Sequence, residues 1–143
     1  NDVINAANAQ MLRIPNAARK PGGSFLLHAI EIIGDQAGGG GAEVWQPRIW
    51  LWQEERAVFL ADNAVFTGSF TIARQSKYID DLLMPAMTSP AGSTIDVSRI
   101  QDLARLYACA PGRMDVFFDL QTLTAFTPSS GALYSLLFHI TQL

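Results

Sequence analysis

Two kinds of apolar run organise this chain. Ser24 to Ile33 is apolar on both phases of a strand, broken only by His28 and Glu31. Such near-continuous apolarity predicts a strand covered on both faces. A glycine-rich turn follows over residues 34–41, and Trp45 to Gln53 forms a second apolar and aromatic run. Together, Ser24 to Gln53 predict a β-hairpin with a flexible tip, with further strands laid against it. In the second arm Ile49 and Leu51 share one face, and Arg48, Trp50 and Trp52 the other. Pro47 predicts an edge or a bulge where that arm starts.

The other kind of run alternates. Met114 to Gln121 places Val116, Phe118 and Leu120 on one face. Ala132 to Thr141 turns Tyr134, Leu136, Phe138 and Ile140 inward, and its length and clean alternation predict a central strand. Thr94 to Arg99 alternates too, and Tyr78 to Met87 reads as a strand ended by Pro85. Arg105 to Cys109 reads as a strand, although Leu103, Leu106 and Tyr107 carry helical spacing. Met11 to Pro15 predicts a short edge strand. In Ala57 to Phe66, Asp62 and Asn63 form a turn pair between Phe59 and Phe66, and Thr67 to Lys77 has room for one helical turn. Asn16 to Gly23, Ser89 to Ser93 and Thr127 to Gly131 are turns.

Seven to nine antiparallel strands at hairpin-like spacing predict an all-β domain, a β-sandwich or jelly roll. Residues 16–143 form that single domain. Residues 1–15 are expected as an N-terminal arm, since the first ten are small and polar with few large apolar anchors.

Composition sharpens the picture. At 143 residues the chain is long enough for one ordinary core. Only 16% of it is charged, against about 25% in typical domains. Part of its surface is therefore expected to meet another protein. The net charge of −3 with no basic block argues against direct nucleic-acid binding. One cysteine, Cys109, excludes an internal disulfide and a cysteine-rich metal site, and fits a reducing compartment. No apolar run reaches ~18 residues, so no membrane-spanning helix is predicted. No signal peptide is visible, and the start at Asn1 leaves room for residues ahead of it.

Candidate chemistry is sparse. His28 and His139 would need a carboxylate such as Glu31 or Asp119 to make a hydrolytic pair or a metal site. Each sits mid-strand among apolar residues and reads as a packed or interface side chain. Asp80 and Asp81 point to opposite faces of a strand and do not converge. Asp115 and Asp119 share a phase with Phe117 and are expected to face solvent or a subunit. Residues 38–41 lack the Lys-Ser/Thr ending of a phosphate loop. Trp45, Trp50 and Trp52 fit core or interface better than a sugar-stacking platform. No catalytic residue, metal or cofactor is expected, and the chain reads as a non-enzyme.

One resemblance spans Pro21 to Leu143. Pro21-Gly22-Gly23-Ser24 opens a long strand ending in Ile32-Ile33-Gly34-Asp35. Ile49-Trp50-Leu51-Trp52, Ala61-Asp62-Asn63-Ala64-Val65-Phe66 and Thr127-Pro128-Ser129-Ser130-Gly131-Ala132-Leu133 follow in order. This order resembles the small capsid decoration, or cement, proteins of tailed bacteriophages, and the Asp-Asn-Ala-Val-Phe element carries it most. The resemblance implies a virion protein, assembled in the host cytoplasm, that binds the major capsid protein and associates with itself as a trimer. It implies no membrane partner. Contact candidates are Val3, Ile4, Met11 and Ile14 in the arm, Trp50 and Trp52, and Phe59, Asp62, Asn63 and Phe66. A tail or baseplate β-domain, a host-glycan module and an enzyme built on a histidine cleft are the competing readings.

Overall fold

The computed structural model describes residues 3–4, 11–35, 45–55, 77–89, 93–123 and 133–143. Those residues form nine strands and no helix: β1 Val3–Ile4, β2 Leu12–Ile14, β3 Ser24–Asp35, β4 Pro47–Trp52, β5 Tyr78–Leu83, β6 Ile95–Ile100, β7 Arg105–Ala108, β8 Val116–Thr122 and β9 Leu133–Gln142. All pairings are antiparallel and fall into two sheets. The Asp62-Asn63 turn pair within Ala57–Phe66, the helical turn at 67–77, the glycine tip and the 127–131 turn lie outside the described residues, apart from Lys77.

The five-stranded sheet is built around β8 and β4. β4 lies between β8 and β5. On the other edge of β8, β1 and β2 follow each other, with Val3 opposite Gln121 and Leu12 opposite Phe118. Within the stretch expected as an N-terminal arm, Val3–Ile4 and Leu12–Ile14 pair with β8, the latter where a short edge strand is expected. Pro47 occupies the first position of the central strand β4, where its missing N–H breaks no ladder, and its carbonyl accepts the Met84 N–H at 3.0 Å.

The four-stranded sheet is built on β3. β9 pairs along one edge, while β6 and β7 share the other, β6 opposite Ile30–Asp35 and β7 opposite Ser24–Leu27. One expectation is corrected here: Ser24–Gln53 is not a hairpin, because β3 and β4 belong to different sheets. Among the described residues β9 pairs with β3 alone, while β8 has β4 on one edge and β1 and β2 on the other.

The apolar string in β3 also has a different cause from two-sided burial. Phe25 and Leu27 point inward, and so do Ile30, Ile32 and Gly34. A bulge between Leu27 and Ala29 makes the switch. One extra residue, His28, resets the two-residue period, so both phases look apolar although one face is buried at a time. Across the other edge, residues 101–104 join β6 to β7. Asp102 and Ala104 adopt positive φ there (56° and 44°), and the Leu103 N–H donates to the His28 carbonyl at 3.0 Å.

The two sheets pack face to face, the arrangement of a β-sandwich. Phe25, Leu27, Ile30 and Ile32 of β3 meet Ile49 and Leu51 of β4 and Val116, Phe118 and Leu120 of β8 in one buried cluster. Trp45 closes one part of it edge-on to Tyr134, at 5.8 Å between ring centres. Phe118 meets Phe138 at 4.9 Å. Polar ties hold the sheets together at one border: Asp80 of β5 accepts from the Tyr107 hydroxyl at 2.6 Å and from Arg105, both on β7.

Candidate functional site

Each sheet has an outer face, and the two differ. On the five-stranded sheet the outward phase of β4 and β8 is covered. Trp50, Trp52 and Phe117 form a second buried cluster with Met11, with Tyr78 packed against it. Polar residues sit inside this layer. Asp119, fully buried, accepts from the Trp52 Nε1–H at 2.9 Å. Gln121 Oε1 accepts from the Trp50 Nε1–H at the same distance. Each indole donor offsets part of the cost of burying these groups, since an unmet buried acceptor costs about 1–3 kcal/mol. Next to them Asp81 takes the Arg48 Nε–H at 2.7 Å and the Tyr78 hydroxyl at 2.5 Å. Desolvation of the Tyr78 phenol, reinforced by that carboxylate, pushes its pKa above the ordinary tyrosine range.

The outer face of the four-stranded sheet is open. Its rows run across the strands: Ile95, Asp35 and Leu133; Arg99, Glu31 and Leu137; then Leu106, Leu26 and Thr141. Leu133 is 70% exposed, Leu106 64%, and Ile95, Leu137 and Leu143 are exposed as well. The Arg99–Glu31 pair, at 2.7 Å, leaves the middle of this face close to neutral. Surface pairs of this kind contribute ~0–1 kcal/mol, so they add little to folding.

At the bulge this face holds a shallow depression of about 390 Å³, lined by His28, Ala29, Arg99, Gln101, Asp102 and His139. The bulge brings the two histidines, far apart in sequence, to one rim. His28 Nε2 lies 2.8 Å from Thr141 Oγ1. The hydroxyl has a base beside it, and no described hydrogen bond orients that base through a carboxylate, the third part a hydrolytic constellation requires. Among the described residues no group of three or more His, Cys, Asp or Glu side chains is placed to hold a metal ion.

The predicted contact residues are placed as follows. Met11, Ile14, Trp50 and Trp52 are buried within the chain, so they are not free adhesive groups on its surface. Val3 and Ile4 pair with β8 through their backbones. Phe59, Asp62, Asn63 and Phe66 lie outside the described residues. All three tryptophans are buried, which leaves no exposed indole platform for a sugar. Asp119, expected at solvent or a subunit, is instead inside the covered layer; Asp115 accepts the Asn16 N–H at 2.9 Å. Asp80 and Asp81 diverge as the alternation required, one to Tyr107 and the other to Arg48. Cys109 is buried, and burial above all, then the Asp115 charge, raises its thiol pKa, which keeps it protonated and unreactive. The residues missed by sequence reasoning are Leu106, Leu133, Leu137 and Ile95. Their signal was present: the non-core phase of β9 carries Leu133 and Leu137 where solvent would favour polar groups.

Compared with protein-family models, with curated proteins and with solved structures, the chain finds no match.

Proposed function

We propose that this protein is a structural subunit of a tailed-bacteriophage virion, a decoration protein that binds the outer capsid surface and strengthens contacts between major capsid subunits. One observation supports the reading: an open sheet face carrying Ile95, Leu106, Leu133, Leu137 and Leu143 around the Arg99–Glu31 pair, on a domain whose opposite outer layer is buried at Trp50, Trp52, Phe117, Asp119 and Gln121. Large exposed apolar side chains repeated along one sheet face suit a protein-binding surface. Burying such a face contributes ~25 cal/mol per Å² of apolar area, and a cement needs that adhesion and a rigid support. No reactive group takes part.

The test is co-sedimentation of the purified chain with capsid shells assembled without it. The expected result is saturable occupancy and shells that resist heat better. Leu106→Asp and Leu133→Asp, at positions that carry no core contacts, should lower occupancy with the fold unchanged. Absence of binding to such shells, or binding indifferent to both substitutions, overturns the proposal.

A further inference from the structure

β9, Leu133–Gln142, is ten residues long and, among the described strands, pairs along one edge only, with β3. Natural edges are usually blunted by charge, proline, a bulge or short length. β9 has none of these: its sequence, Leu-Tyr-Ser-Leu-Leu-Phe-His-Ile-Thr-Gln, holds no Asp, Glu, Lys, Arg or Pro. The bulge at this end of the sheet lies in β3, not in β9. The inward row adds a second observation. Tyr134, Leu136, Phe138 and Ile140 face the core yet are only partly buried, whereas every inward residue of β3 is buried. Core-facing apolar surface is left uncovered along this edge.

We propose that β9 pairs with β9 of a second copy, antiparallel about a two-fold axis, joining two four-stranded sheets into one. The hydrogen-bond phase selects the register. The Leu143 N–H donates to the Ser24 carbonyl at 3.0 Å. Main-chain groups alternate between edges along a strand, so Leu136, Phe138 and Ile140 turn theirs away from β3. Centring the axis on Phe138 sets Phe138 against itself and Leu136 against Ile140 of the second copy, for ~6 new main-chain bonds. The same register sets Leu133 against Leu143 and Leu137 against His139. Both members of the first pair are exposed in the single chain. Uncharged residues facing their own copies meet no like-charge repulsion.

Other free edges fit β9 less well. Thr88 bridges the far edge of β6 through two bonds with Val97, each 2.9 Å. β7 is four residues long and starts with Arg105. A head-to-tail ring of three that extended this sheet from β9 would need the β6 or β7 edge, so strand pairing through this sheet favours two copies over the trimer that the resemblance implies. The inference does not depend on the capsid reading.

The test is sedimentation equilibrium combined with directed crosslinking. The wild-type chain should have twice the chain mass at micromolar concentration, and Leu137→Lys should return it to a single-chain mass with an unchanged circular-dichroism spectrum. In the proposed register Ser135 faces Thr141 of the second copy in a non-hydrogen-bonded pair, ~4.5 Å apart at Cα, within disulfide reach. Oxidised Ser135→Cys/Thr141→Cys should therefore run as a covalent dimer, and Ser135→Cys alone should not. A single-chain or three-chain mass for the wild type overturns the proposal. So does a dimer that the double-cysteine variant fails to lock.

Discussion

The two outer faces of this sandwich invert the usual rule of inside and outside. On β8 the outward phase contains Phe117, Asp119 and Gln121, and all of it is buried. On β9 the outward phase is Leu133, Ser135, Leu137, His139 and Thr141, and all of it is exposed. A carboxylate is enclosed on one sheet while leucines face water on the other. The difference teaches that burial here follows hydrogen-bond supply and layer coverage rather than residue polarity. Asp119 is enclosed with an indole donor directed at it. The leucines are exposed because nothing described in the chain lies over them.

Substitutions on the two faces should separate sharply. The largest effect is expected at Trp52→Ala, which opens the covered layer and removes the donor to Asp119. A loss of ~3–5 kcal/mol is expected for a buried aromatic. Leu133→Ala on the open face should change stability by less than ~0.5 kcal/mol. Urea unfolding of both variants checks the contrast, and comparable losses would remove it.

Gly34 probes the boundary between core and edge. A Cβ there would lie 2.7 Å from Tyr134 Cε1 on the facing strand. Gly34→Ala should cost ~1–3 kcal/mol through overpacking. Tyr134→Ala in the same chain should recover part of that loss, a coupling that a double-mutant cycle reads directly. Additive losses would show that the ring moves aside freely.

A smaller effect should appear with pH. Tyr78 at the covered layer and Tyr107 at the inter-sheet border both have raised phenol pKa values, through desolvation first and then the carboxylates they bond. A raised folded-state pKa means that the folded chain holds its proton longer than the unfolded one. That contribution is complete below the unfolded value of ~10 and is lost as pH rises through the folded value. The urea midpoint should therefore fall from about pH 10 upward, and Tyr107→Phe should shallow the fall. The smallest effect is expected on removing residues 1–10, which takes away the two-residue strand β1. Stability should drop by ~1 kcal/mol or less, while the β8–β4 ladder persists in amide hydrogen exchange.

The strand alternation in β4, β8 and β9 was legible from single residues. Ile49 and Leu51 part from Trp50 and Trp52 as period-two patterning requires, and the inward sets of β8 and β9 follow the same alternation. Pairing was not legible. Two apolar runs around a glycine-rich turn suit a hairpin locally, yet β3 and β4 went to opposite sheets, because sheet assignment depends on partners far along the chain. The clean alternation of β9 reports one covered face and says nothing about which strands lie along its edges. The depression at the bulge was invisible for the same reason: His28 and His139 meet only through strand register.

The bulge in β3 bears on which changes of length the chain can accept. Everything from Ile30 to Asp35 owes its orientation to a spacer of one residue. Replacing His28 by another polar side chain leaves that count intact, whereas deleting it rotates half the strand by a half-turn, sending Ile30 and Ile32 outward and Glu31 into the core. At this position the number of residues constrains the chain more tightly than the choice of side chain.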